Sequence, residues 1–224
     1  MRDYEEFPDS QSLNTLFYIG NPQNLTAQVL KKMHDFFLAQ KQFFSLEKLT
    51  RGKEKARVIF GPRDMAKNFP ELNLVEIEDY LADEGGFLSE DFDKKVNVNQ
   101  ALSWLIEPKN NPKKQLHIGD ELKNLTVEEN QKVFIQAVLM PVEKQGNTVF
   151  QSTLRIMVTD PDPIKRVELS KKIKQIISEA TGLNKHEDTF PETKKYESFK
   201  QRSLIPQEVA GFPFSGEEIL ALIS

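Results

Sequence analysis

The 224-residue chain contains no cysteine. Disulfides, thiolate nucleophiles and cysteine-ligated zinc are therefore excluded, and a cytoplasmic setting fits. Histidine is scarce too. His34, His117 and His186 are far apart and show no H-x-x-x-H spacing, so each reads as a surface or packing residue. There is no excess of positive charge: 30 Lys and Arg against 34 Asp and Glu leave a net charge of −4, so no global basic field points to nucleic acid. No run approaches the ~20 apolar residues of a membrane-spanning helix. The amino terminus, "MRDYEEFPDSQSLN", is acidic and polar, unlike a signal peptide. The glycines form neither G-x-G-x-x-G nor G-x-x-x-x-G-K-[ST], and no G-x-S-x-G elbow occurs, so the sequence offers no phosphate cradle and no nucleophile elbow. No cofactor and no catalytic residue is expected, and the chain reads as a non-enzyme.

What is there describes a folding chain. Hydrophobic residues at 38% with charged residues at 29% lie in the range of globular domains rather than disordered ones. After a loose leader at 1–15, "LFYIG" (Leu16 to Gly20) reads as a strand. "NLTAQVLKKMHDFFLAQKQFFSLEKL" reads as one long helix capped by Asn24, with Val29, Leu30, Met33, Phe36, Phe37, Ala39 and Phe43 as its apolar stripe. A strand at Lys55 to Pro62, a short helix at "RDMAKNFP" and a half-buried strand at Asn73 to Leu81 follow. Eight acids and no Lys or Arg lie between Glu76 and Asp93, which suggests a solvated or partner-facing edge. "NVNQALSWLIEP" is ambiguous between helix and strand.

The clearest β signal is a pair of apolar runs, Val133 to Val142 and Thr148 to Thr159, around the turn "EKQGN". A helix then starts at Asp160 or Asp162, buries Ile164, Val167, Leu169, Ile173, Ile176 and Ile177, and stops at Gly182. In "VTDPDP" the carboxylates are better placed to cap that helix than to bind metal. A polar connector follows, with Phe190, Tyr196, Phe199, Leu204 and Ile205 as anchors. The last segment, "FPFSGEEILALIS", opens with Ser215 and Glu218 at capping-box spacing. Its apolar run is short for an independent helix, so Ile219, Leu220, Leu222 and Ile223 are expected to fold back on the domain, fray or pair with another chain, with little burial, if the chain is a fragment, and to seal the core if it is complete. The fold class expected is α+β, with two ferredoxin-like strand-helix-strand halves at 16–110 and 111–183 and a connector at 184–224. One basic cluster, Lys48, Arg51, Lys53, Lys55 and Arg57, is the candidate for a weak phosphate or partner contact. A second, Lys165, Arg166, Lys171, Lys172 and Lys174, reads as a solvated helix face.

The order of "TLRIMV", "TDPDP", the helix "IKRVELSKKIKQIISEATG", the connector with "YESFKQRSL" and the closing "FPFSGEEILALIS" resembles one region of a known family. That region lies just before the motor domain in ATPases of conjugative type IV secretion systems and their FtsK/HerA-type relatives. There a strand of type xRIxV, a helix and a long connector precede a phrase of type L-S-x-E-E-L-A-x-L. "RVIFGPRDMAKNFPELNLVEIEDYL" resembles their amino-terminal strand-helix-strand module. The resemblance covers most of the chain from about Lys55 and implies an accessory, docking domain whose motor is absent from these residues. It implies protein partners from a transfer apparatus or that motor, weak DNA contact, oligomerisation, and membrane association only through partners at the inner face. The phosphate loop of the family is not in this sequence, so none of its ATPase residues carries over. A free-standing α+β interaction protein of a mobile element or phage is the alternative.

Overall fold

Short apolar runs lay down most of the strands, and one sheet collects them. The computed structural model of the chain describes residues 14–80, 101–107, 125–143, 147–181, 184–185, 201–202 and 213–223. The strands are β1 (Asn14–Ile19), β2 (Phe44–Arg51), β3 (Glu54–Pro62), β4 (Leu74–Ile77), β5 (Ala101–Glu107), β6 (Lys132–Val142), β7 (Val149–Thr159), β8 (Asn184–Lys185) and β9 (Pro213–Ser215). The helices are α1 (Ala27–Gln40), α2 (Met65–Asn68), α3 (Pro163–Thr181) and α4 (Gly216–Ile223). The strand order is β4-β1-β3-β2-β6-β7-β5-β8. Every pairing is antiparallel, and β9 extends the outer edge of β7 beyond β5. The α+β expectation holds in this form.

The order is symmetric about its middle. Read outward from the β2–β6 junction, the first half runs β2-β3-β1-β4 and the second β6-β7-β5-β8. In each half the strand that comes second in the chain sits at the junction, and its hairpin partner lies next to it. This junction is the seam of the sheet, and all of β2 pairs with β6 across it, from Phe44↔Leu139 to Arg51↔Lys132.

The long helix expected from Asn24 onward is two elements. α1 ends at Gln40 because Lys41 turns left-handed (φ 53), and the chain re-enters the sheet as β2. The cap is Thr26, whose hydroxyl accepts the Val29 amide, whereas the Asn24 side chain donates to the Glu71 carbonyl at 2.8 Å. Helical spacing continued through "FFSLEKL", but "FSLEKLT" also alternates with period 2, and the sheet takes it. Gly52 (φ +52) supplies the left-handed residue of the β2–β3 turn. The ambiguous segment around Trp104 is a strand, β5.

The helices form a layer on one face of the sheet. Val29, Leu30, Met33 and Phe37 of α1, Leu169 and Ile173 of α3, and Ile219, Leu222 and Ile223 of α4 share a core with Phe17, Phe44, Leu46, Ile59, Ile135 and Ile156. α3 does not bury the whole stripe expected of it. Ile164 (69% exposed) and Val167 (41%) lie on its outer side. Asp162 caps it, with Oδ1 accepting the Ile164 amide at 2.8 Å.

The closing segment folds back on the domain. Ser215 and Glu218 make both capping-box bonds: the Glu218 amide donates to the Ser215 hydroxyl at 3.2 Å and the Ser215 amide to the Glu218 carboxylate at 2.7 Å. Gly216 packs so closely that a Cβ there would sit 3.2 Å from the Thr148 methyl. The three apolar side chains of α4 named above are fully buried, so this helix is stabilised by packing rather than left under-packed. The leader at 1–13, Asp83 to Asp93, His117, Gly182, His186 and the five connector anchors lie outside the described residues.

Leu222→Ala is expected to lower the unfolding free energy by about 2–5 kcal/mol, and Ser215→Ala by about 1 kcal/mol, in urea denaturation. A loss well under 1 kcal/mol for Leu222→Ala would show that α4 does not seal the core.

Candidate functional site at the seam

Period-2 geometry sends alternate residues of β2 to opposite faces. Phe44 and Leu46 enter the helical core, while Leu49 joins Leu16, Val58, Tyr80, Phe134 and Met157 on the other face. Ser45 and Glu47 share that second face with Leu49. At the register of Glu47 the sheet carries a row of polar side chains across the seam: Glu47 on β2 faces Gln136 on β6, which faces Arg155 on β7. All three are buried.

A buried carboxylate is costly unless its lone pairs are filled. Oε1 of Glu47 accepts from the Ser45 hydroxyl (2.6 Å), the Gln136 amide (3.2 Å) and Nε of Arg202 (2.7 Å), and the Tyr80 hydroxyl donates to Oε2. Arg202 forks onto Asp79 with Nη1 and Nη2 at 2.7 and 3.0 Å. Its guanidinium carbon lies 5.1 Å from the Phe60 ring centre and 5.6 Å from that of Tyr80. Tyr80 in turn stacks on Phe134. Arg155 donates to the Gln136 carbonyl oxygen at 3.0 Å and so extends the network to β7. Counted as ions, the cluster balances, with Glu47 and Asp79 against Arg155 and Arg202.

Burial disfavours the charge on Arg202, but Glu47, Tyr80 and Asp79 more than offset it and hold the guanidinium above its ordinary value. Burial pulls Arg155 down to about 10, against the attraction of Glu47. Tyr80 is pushed well up, first by burial and then by the Glu47 charge. A tyrosine so placed stays a donor. The arrangement can hold a cation and fix two half-sheets, and its two hydroxyls, Ser45 and Tyr80, serve as donors to the Glu47 carboxylate.

The basic cluster expected from the sequence is not gathered into one surface. Lys48, opposite Arg57 in the β2–β3 hairpin, is buried. Arg57 donates to the Ile223 carbonyl at 2.9 Å, at the negative end of the α4 dipole. Arg51 reaches the Glu129 carbonyl at 3.4 Å, while Lys53 and Lys55 stand exposed at the hairpin tip. In the second cluster Lys165 pairs with Glu128 at 2.7 Å and Arg166 donates to the Asp160 carbonyl, while Lys171 and Lys172 are exposed. The Asp160 carboxylate is filled by Gln131 and the Asp162 amide. His34 packs edge-on to Phe150. Among the described residues no group of three or more His, Asp or Glu is placed to hold a metal ion, and no helix is long and apolar enough to cross a membrane.

Sequence reasoning missed the seam cluster. Glu47 lay inside the expected helix and Arg202 in a connector whose anchors were sought among apolar residues. The usable signal was the alternation of Phe44 and Leu46 with Ser45 and Glu47. In comparisons with family models, curated proteins and solved structures, no match to this chain was found.

Removing one partner of a buried ion pair costs more than replacing both. Arg202→Met alone is expected to lower stability by about 3–5 kcal/mol, with most of that loss recovered in Glu47→Leu/Arg202→Met. Additive losses in the denaturation cycle would contradict a coupled pair. The raised Tyr80 also fixes a sign. Its contribution is fully present below pH 10, the ordinary tyrosine value, and is lost as pH rises toward the higher folded value. The stability difference between the wild type and Tyr80→Phe should shrink above pH 10. A difference that stays constant to pH 11 would mean that the hydroxyl is not shielded.

Proposed function

We propose that this chain is a non-catalytic accessory domain, built from two ferredoxin-like halves, that docks a conjugative or DNA-translocation motor ATPase onto its transfer apparatus. The carrying observation is the placement of the segments that resemble that family. "TLRIMV" is the inner part of β7, and "TDPDP" supplies the Asp162 cap of α3. "FPFSGEEILALIS" forms β9, paired directly with β7, and the capped helix α4. Segments far apart in the chain thus converge on one strand.

The halves are assigned as ferredoxin-like from their strand orders, β4-β1-β3-β2 and β8-β5-β7-β6. Each has a hairpin beside the first strand, and helices follow β1, β3 and β7. Non-catalytic action is supported by the seam, whose buried charges are spent on one another. The exposed Lys53 and Lys55 at the hairpin tip are the partner-facing or weak phosphate-contacting part of the basic cluster. Localisation at the inner face of a membrane would come through partners.

The reading is tested by the coding sequence after Ser224 together with an ATPase assay on the chain. A G-x-x-x-x-G-K-[ST] loop downstream, with no turnover by the chain alone, is the expected result. A stop codon at Ser224 would promote the free-standing interaction protein. ATP turnover that a substitution in this chain abolishes would overturn the non-catalytic reading.

A further inference from the structure

We propose that Glu47, Asp79, Phe60 and Tyr80 form a receptor for the guanidinium group of an arginine side chain, and that the connector is fastened by plugging Arg202 into it. The walls suit that ligand. Two carboxylates lie at its edge, one gripped as a fork and one through Nε, and two aromatic rings lie within cation–π distance. An ammonium group has neither the planar fork nor the flat face to use all four walls.

The receptor is organised by groups that do not belong to the connector. Ser45, Tyr80 and Gln136 hold the Glu47 carboxylate, and Phe134 stacks on Tyr80 at 5.9 Å. The plug bears the mark of insertion. Arg202 is buried while Gln201 beside it is exposed, and its backbone is left-handed (φ 51). That conformation is unfavourable for a side-chain-bearing residue, and the four side-chain contacts offset it. A site of this kind binds guanidinium whether or not the cation is tethered, so emptying it should create a small-molecule site.

The test is chemical rescue of full-length Arg202→Ala. Its thermal midpoint is expected below that of the wild type and to rise by about 3–6 °C with ethylguanidinium at about ten times its dissociation constant. Equal concentrations of ethylammonium should leave the midpoint unmoved, and so should ethylguanidinium on the wild type, where Arg202 fills the site. Glu47→Gln/Arg202→Ala should lose the rescue. An equal response to both cations, or no response to either, overturns the proposal. If Arg202→Ala does not fold, recovery of far-UV circular dichroism on dilution from urea is read instead. Recovery with ethylguanidinium alone supports the receptor, and failure with both cations refutes it.

Discussion

Burying the Glu47 carboxylate in the middle of a sheet is the constraint around which this structure is arranged. Apart from the Ser45 hydroxyl, the donors that reach it come from outside β2. Gln136 comes from the facing half, Tyr80 from the segment after β4, and Arg202 from the connector. A charge that needs donors from three distant parts of the chain penalises every arrangement in which one of them is missing. Registers shifted by one residue would place Glu47 in the helical core, where Leu46 now sits, with no such donors. Specificity of pairing between the halves is a better account of this cluster than added stability, because an apolar substitute of similar volume stabilises a core at least as well.

The other face of the seam is secured by α4. α4 begins beside Thr148 at the second half and ends where Arg57 of the first half meets the Ile223 carbonyl. Its buried Ile219, Leu222 and Ile223 lie across both. The carboxyl-terminal residues thus hold the join from two sides by different physics: an ion pair below, and hydrophobic burial with a helix C-terminus above.

Much of this was legible in the sequence, and the failures have identifiable causes. The β6–β7 hairpin, β1, β3, the α3 cap and the capping box of α4 announced themselves because local rules and tertiary structure agree there. β2 was hidden because Glu47 and Lys48 sit in a strand as buried charges, against their usual exposure, and because Leu46 and Leu49, on opposite faces of the strand, fit helical spacing. α1 ends without glycine, on Lys41 in a left-handed conformation, which left no punctuation to read. The outer placement of Ile164 and Val167 could not be inferred either, since periodicity gives a stripe but not which part of it the sheet covers. Arg202 was invisible for the reason that makes it informative: nothing local distinguishes a buried arginine from an exposed one.

The separation of the joined residues along the chain has a temporal side. Glu47 waits for a donor 155 residues further on, and Arg57 for a carbonyl 166 residues further on. A ribosome adding about 5–20 residues per second leaves the first half-sheet with an unpaired junction strand and an unmet carboxylate for several seconds or more. The partner hairpin arrives midway in that interval, and the arginine at its close. Contacts of such long range make for slow closure of the final structure. They also give the nascent chain an interval in which another molecule's strand could add to β2, so a substitution that weakens the late contacts would be felt in synthesis yield before it was felt in the finished protein.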